Sequence, residues 1–215
     1  MIDNQINLSN NEEYLVTPSL LNSWGNIWEC QKYVREAQND EISLEDKIEI
    51  ARNKAVEEFI TTLKRIKTEP TEAMIKGIQF EDECYEGKTC ISPIIENGCY
   101  QIVGTKRVKV NGMNFLMYGR LDVLKGGVIY DIKRTRQYSI QKYLSSYQHG
   151  FYLDLFERAY KFQYLAYDDK DKLHYENYYR DEYEPTINVI SRFINWLKDN
   201  DLLDLYKENW KSKGE

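Results

Sequence analysis

The stretch from Gly119 to Lys133 (Gly-Arg-Leu-Asp-Val-Leu-Lys-Gly-Gly-Val-Ile-Tyr-Asp-Ile-Lys) restricts the fold more than any other part of the chain. Apolar and β-branched residues flank Gly126-Gly127, a pair that supplies the positive φ of a tight turn, so the segment predicts a β-hairpin. A two-residue turn there, or a four-residue loop from Lys125, sets Lys125 opposite Val128, Leu124 opposite Ile129, Val123 opposite Tyr130 and Asp122 opposite Asp131. Facing carboxylates repel, by roughly 3 kcal/mol at about 5 Å and an effective dielectric near 20. Lys133, two residues beyond Asp131, projects from the same face, while Ile132 points into a core beside Leu121. Two acids and a lysine over a hydrophobic back suit a hard divalent cation with an ammonium beside it. A solvated hairpin face with a cross-strand salt bridge accounts for the same residues.

A chain of 215 residues, 42% hydrophobic and 13% aromatic, builds one large domain or one domain with a helical extension. No apolar run approaches a membrane span, and the polar Met1-Ile2-Asp3-Asn4-Gln5 start is unlike a signal peptide, so a cytoplasmic protein without membrane contact is expected. The net charge of −6 speaks against a general nucleic-acid binder but leaves room for a nuclease with a local basic groove. Lys106, Arg107 and Lys109 form one basic cluster; Lys133, Arg134, Arg136 and Lys142 form another beside the hairpin, although such runs are often solvated faces. Cys30, Cys84, Cys90 and Cys99 contain no C-x-x-C pair, and His149 and His174 are the only histidines, so reduced thiols rather than a zinc site are expected.

Taken in order, residues 1–16 read as a frayed polar start. Thr17-Pro18 opens a helix to about Gln38, with a break suggested at Gly25, and Ser43 opens a second over 44–66. A third helix runs from Pro70-Thr71 to Tyr85, with Met74, Gly77, Ile78, Phe80, Cys84 and Tyr85 on an apolar arc. Glu81 falls inside that arc, where it either meets a cation or pairs with a lysine at the edge. Gly77, one turn earlier, suggests close approach of another group. Residues 87–98 are loop-like; strands at 100–110 and 114–124 follow, and their Asn111-Gly112 turn pairs Val108 with Phe115. With the 128–134 strand they make a three-stranded meander. A helix over 140–159 carries Leu144, Tyr147, Phe151, Leu155 and Ala159 on one stripe, with Gln148 inside the stripe and Tyr152 one turn on. Gln148 needs amide partners there, from a functional site or from nearby backbone. Strands at 161–167 and 173–179, the first closing a right-handed crossover with the 128–134 strand, and helices at 186–198 and 201–211 complete the chain.

Gly77-Ile78-Gln79-Phe80-Glu81 on a helix, Gly119-Arg120-Leu121-Asp122, Asp131-Ile132-Lys133 and Gln148-x-x-x-Tyr152, in this order, resemble the PD-(D/E)XK nuclease superfamily. The Gln-x-x-x-Tyr element resembles its RecB-like branch, which includes phage recombination exonucleases. The resemblance covers Gly77 to Tyr152, and Ser19 to Trp24 with Cys30 also resembles the amino-terminal segment of RecB-like nucleases. Leu121 replaces the family's proline, Asp131 the more frequent glutamate, and Glu81 stands where many relatives have histidine. No cysteine follows Cys99, so the iron–sulphur cluster that some members of this branch build with a cysteine like Cys30 is not expected.

The resemblance implies an α/β fold: a restriction-endonuclease-like core with a mixed central β-sheet flanked by helices and helical N- and C-terminal extensions. Residues 1–70 would be a helical segment packed on a core of 71–215, a single domain overall. It implies that Glu81, Asp122, Asp131 and the carbonyl of Ile132 bind one or two Mg²⁺ or Mn²⁺ ions. Lys133 would activate water and offset transition-state charge, and Gln148 and Tyr152 would position the metal site and the DNA. The implied activity is metal-dependent DNA hydrolysis, by an exonuclease of phage or bacterial recombination or repair. Its partners would be a duplex end or single strand, a recombinase or single-strand-binding protein, and further copies of itself. A catalytically silent nucleic-acid-binding accessory protein of the same fold is the alternative, against which the Asp122, Asp131 and Lys133 set argues.

Overall fold

The structure is a computed structural model and describes residues 12–34 and 42–212. Its first described element is a strand, β1 (Glu13–Val16), which corrects the last residues of the frayed start suggested by the sequence; residues 1–11 of that start lie outside the described residues. Four residues carry little periodicity, and β1 is held by a parallel partner a hundred residues downstream, which no local signal announces. Helix α1 (Pro18–Glu29) opens as expected: Thr17 Oγ1 accepts the Leu20 N–H at 3.2 Å, with proline in the first turn. It runs unbroken through Gly25 into a 3-10 turn at Cys30–Tyr33; its expected continuation from residue 35 to Gln38 lies outside the described residues. Helix α2 (Leu44–Leu63) ends three residues early and buries Ala55, Phe59 and Leu63. Helix α3 (Glu72–Tyr85) is capped by Thr71, and a short helix α4 (Ser92–Ile95) lies within the segment expected as loop.

Strands β2 (Cys99–Val110), β3 (Met113–Lys125) and β4 (Val128–Thr135) form the expected meander. Gly126 and Gly127 take φ of 58° and 77°, as Asn111 and Gly112 take 50° and 81°. Positive φ at both central residues matches the turn to the twist of its strands. Val108 therefore faces Phe115, and Val123 faces Tyr130, as the turn chemistry predicts.

The single helix expected over 140–159 is two, α5 (Ile140–Leu144) and α6 (Gln148–Leu155). At the break, Asn22 of α1 accepts the Tyr147 N–H at 2.8 Å and donates to Ser146 Oγ at 3.2 Å. Ser145 Oγ bonds back to the Gln141 carbonyl at 2.9 Å, a local alternative to the helical ladder. Strands β5 (Lys161–Asp168) and β6 (Leu173–Tyr179) follow, then α7 (Thr186–Asp199) and α8 (Leu203–Asn209).

These strands make a mixed six-stranded sheet ordered β1-β3-β4-β5-β6, with β2 along the other edge of β3. β1 runs parallel to β3 and β4 parallel to β5, and the remaining pairs are antiparallel. Helices cover both faces. Leu20, Phe59, Phe151 and Phe193 from α1, α2, α6 and α7 meet Phe115, Met117, Leu121 and Phe162 in the larger core. Phe80 and Cys84 of α3 and Ile91 and Ile95 meet Val123, Ile132 and Leu165 in the smaller one. Ile132 is thus buried as expected but not beside Leu121, which belongs to the opposite face. All four cysteines are free; Cys84 is buried, whereas Cys90 and Cys99 are exposed. Among the described residues no helix is long and apolar enough to cross a membrane.

Candidate active site

The site forms where strand pairing fails. β1 accompanies β3 as far as Met117, and β4 joins the same edge only at Val123. Asp122 lies at the mouth of this fork. Its Oδ2 accepts the Ile132 N–H at 2.8 Å, so a side chain stands where a backbone carbonyl would stand in a continued ladder. On the other edge, β2 pairs through Tyr100 and Ile102 but skips Gln101 opposite Asp122. The pleat inverts at this point. Regular alternation puts Leu121 and Val123 on one face, yet Leu121 enters the larger core and Val123 the smaller.

Helix α6 bridges the fork. Tyr152 donates its hydroxyl to the Arg120 carbonyl at 2.7 Å, and Gln148 donates its amide to Asp131 Oδ1 at 2.5 Å. The helix approaches this closely because Gly104 and Gly119 are cross-strand partners. A Cβ on Gly119 would lie 2.7 Å from the Tyr152 ring, and one on Gly104 2.6 Å from the Phe156 ring. The Gln-x-x-x-Tyr spacing thus places one polar group on each arm of the fork, one turn apart on one helix face.

Asp131 is 2% exposed, and Lys133 Nζ sits 2.5 Å from its Oδ2. The acid and the lysine share a face, as the hairpin reading requires. Burial and then the Asp131 charge lift the Asp122 carboxyl to about 7. Burial likewise pushes Asp131 above the usual carboxylate range, against the pull of Lys133. Burial draws the Lys133 ammonium down, but Asp131 and Asp122 outweigh it and hold the ammonium above its ordinary value. Burial, then Lys133, depress the ammonium of Lys142. Both lysines, with Asn22, Asn26, Gln148 and Tyr164, line an open pocket beside the fork.

Glu81 reaches the site from α3, whose remaining surface differs from the expected arc. Phe80 and Cys84 are buried, but Met74 and Ile78 are 57% and 60% exposed. A Cβ on Gly77 would meet nothing within 4 Å, so nothing approaches that face closely. A 14-residue helix that touches the sheet with its C-terminal half buries only two apolar positions, and the wheel cannot register where contact ends. Glu81 is half-buried; its Oε1 accepts from the Tyr85 hydroxyl at 2.6 Å and from Gln101 Nε2 at 2.7 Å, and among the described residues no lysine forms an ion pair with it. Burial and then Asp122 raise its carboxyl. Gln101 and Tyr85 were not expected here. One signal points to Gln101: extending the Asn111-Gly112 register places it opposite Asp122.

The basic clusters resolve differently. Lys106 pairs with Glu157 at 2.8 Å and Arg107 with Glu13 at 2.9 Å, remote from the fork. Arg134 pairs with Asp169 at 2.7 Å and stacks over Tyr167 and Phe80. Lys133 and Lys142 line the pocket beside the fork, whereas Arg136 lines a separate one with Arg134, and Lys109 another with Arg107.

Fold and site together define a mixed α/β protein whose central sheet forks around two carboxylates and a lysine. The crystal structure of SSO0001 shares this fold, with a TM-score of 0.51 and 16% identity over 88% of this chain and 78% of that one. An alkaline exonuclease, LHK-Exo from Laribacter hongkongensis, is also similar, with a TM-score of 0.46 and 15% identity over 90% of this chain and 88% of that one. No family model and no curated protein matches the sequence.

Proposed function

We propose that this protein is a Mg²⁺- or Mn²⁺-dependent deoxyribonuclease of the PD-(D/E)XK superfamily and its RecB-like branch, working from DNA ends as an exonuclease in recombination or repair. The fork carries this reading: Asp122 and Asp131 are both driven upward by burial, with Lys133 on Asp131 and Gln148 behind it.

The donor set fits a hard divalent cation, since it is made of carboxylate and carbonyl oxygens and a nearby positive charge would relieve both acids. Among the described residues no three acidic, histidine or cysteine side chains converge on one point. Magnesium does not need them to, because it ordinarily keeps several waters and takes only one or two protein carboxylates besides substrate phosphate. Asp122, Asp131 and the Ile132 carbonyl would hold the ion, with Glu81 facing it. When bound, the ion would polarise the phosphate and lower the pKa of attacking water.

The protein's own groups do the rest. Gln148 fixes the Asp131 carboxylate from behind, and Asp131 in turn aims the Lys133 ammonium. An ammonium held there stabilises charge that grows on the phosphoryl oxygens in the transition state. Tyr152 ties α6 to the fork by donating its hydroxyl to the Arg120 carbonyl. Its hydroxyl is buried and committed to the backbone, so it shapes the site rather than touching DNA. The test compares linear duplex DNA with covalently closed circles, with Mg²⁺ and with EDTA. Release of nucleotides from the linear substrate alone, only with metal, is expected; no cleavage of either substrate at any metal concentration would favour the silent accessory protein.

A further inference from the structure

Six non-glycine residues have positive φ among the described residues, and Gln101, at 53°, is the one inside a strand. Glutamine lacks the short polar side chain that lets asparagine and aspartate tolerate this region, so the conformation is strained unless something requires it. Its consequence is visible. Gln101 leaves the β2–β3 ladder opposite Asp122, and its Nε2 lies 2.7 Å from Glu81 Oε1 and 2.8 Å from the Tyr85 hydroxyl. The Tyr85 hydroxyl donates to the same Glu81 oxygen at 2.6 Å. Two donors on one oxygen, from two different elements, fix the carboxylate plane, and among the described residues no hydrogen bond reaches Oε2.

We propose that Gln101 is a positioning residue: its strained backbone aims an amide that, with Tyr85, locks Glu81 by Oε1 and leaves Oε2 free to hold a water of the divalent cation carried by Asp122 and Asp131. The proposal rests on the metal-dependent reading of the fork given above. Tyr85 sits one helical turn from Glu81 and closes the lock from within α3, while Gln101 closes it from the sheet. The Tyr85 ring is itself held against Tyr100, centroids 5.1 Å apart, and the Tyr100 hydroxyl donates to the Ile95 carbonyl at 3.1 Å. Glu81 is therefore braced by α3, β2 and α4 together, which suits an outer-sphere partner whose aim decides metal affinity.

Gln101→Gly separates this role from a packing role, because glycine adopts positive φ freely and deletes the amide. The full-length variant should melt in EDTA no lower than wild type. Calorimetric titration with Mn²⁺ alone, without DNA, should show affinity weakened by roughly 10-fold, the scale of lost outer-sphere support. The Mn²⁺ concentration for half-maximal cleavage should rise by the same factor, with kcat at saturating Mn²⁺ little changed. Tyr85→Phe, which keeps the ring and removes one donor, should weaken Mn²⁺ binding less. Asp131→Asn is the reference arm and should abolish Mn²⁺ binding. Unchanged Mn²⁺ affinity in Gln101→Gly, whatever its melting temperature, would overturn the positioning role while Asp131→Asn still supported the metal site. Mn²⁺ binding that survives in Asp131→Asn would overturn the metal reading itself.

Discussion

Removing the charge of Asp122 should stabilise the protein, even though the same change should end its activity. Folding lifts this carboxyl from 3.8 to about 7, first through burial and then through Asp131. About three units correspond to roughly 4 kcal/mol as an upper bound. A direct Coulomb estimate for two charges at about 5 Å and an effective dielectric near 20 gives roughly 3 kcal/mol, and Lys133 offsets part of it. Asp122→Asn keeps an oxygen for the Ile132 N–H that Oδ2 now accepts at 2.8 Å, so the gain should be about 2 kcal/mol in EDTA at pH 8, or roughly 4–8 °C in a domain of this size. The sign with pH follows from the raised value. The ionised group penalises the folded state fully above about pH 7; the penalty fades as pH falls and is gone below the unfolded value near 3.8. The advantage of Asp122→Asn should therefore shrink between pH 8 and pH 5. Asp131→Asn should gain less, because burial raises this carboxyl too but its charge also holds Lys133 2.5 Å away. Melting curves of the three proteins in EDTA at pH 8 and pH 5 decide the matter. An Asp122→Asn variant no more stable than wild type at pH 8, or a gain that does not shrink at pH 5, would refute the claim that Asp122 carries the electrostatic load.

Lys133→Ala should remove most cleavage while the rise in melting temperature on adding Mg²⁺ or Mn²⁺ persists, since the lysine acts on the transition state and the carboxylates hold the ion; cleavage rates and metal-dependent melts on one preparation check this. Gln148→Ala should reduce specific activity by 10-fold or more through the loosened Asp131, on the scale of other outer-sphere partners, with a stability loss of about 1–2 kcal/mol; a large melting-temperature loss with normal specific activity would show a packing role instead. Gly119→Ala should destabilise by about 1–3 kcal/mol, because its Cβ would lie 2.7 Å from the Tyr152 ring and force α6 off the sheet; chemical denaturation measures it, and an unperturbed midpoint would show that α6 shifts freely.

Turn chemistry made the centre of the fold legible. Asn111-Gly112 and Gly126-Gly127 admit few backbone geometries, so the register of β2, β3 and β4 follows from sequence, and with it the shared face of Asp131 and Lys133. The helix caps at Thr17, Ser43 and Thr71 were legible for the same reason, since each side chain satisfies a local N–H. Periodicity misled where burial stops partway along an element: Met74 and Ile78 belong to an apolar arc, yet the sheet does not extend beneath them. The break between α5 and α6 was illegible because Asn22, far away in sequence, supplies the bonds that favour it.

What the sequence determined alone is local and covalent: hairpin register, caps, and the residue types two or four positions apart that must share a face. What only the tertiary structure decided is the fork itself. β1 and β4 take turns along one edge of β3, and the gap between them sets Asp122 on the Ile132 N–H and Tyr152 on the Arg120 carbonyl. The joining of Glu81 to Tyr85 and Gln101 belongs to the same class. A backbone conformation that glutamine resists, at 53°, persists because partners from other elements hold it, and no local rule can register contacts that exist only once the sheet and helices have assembled.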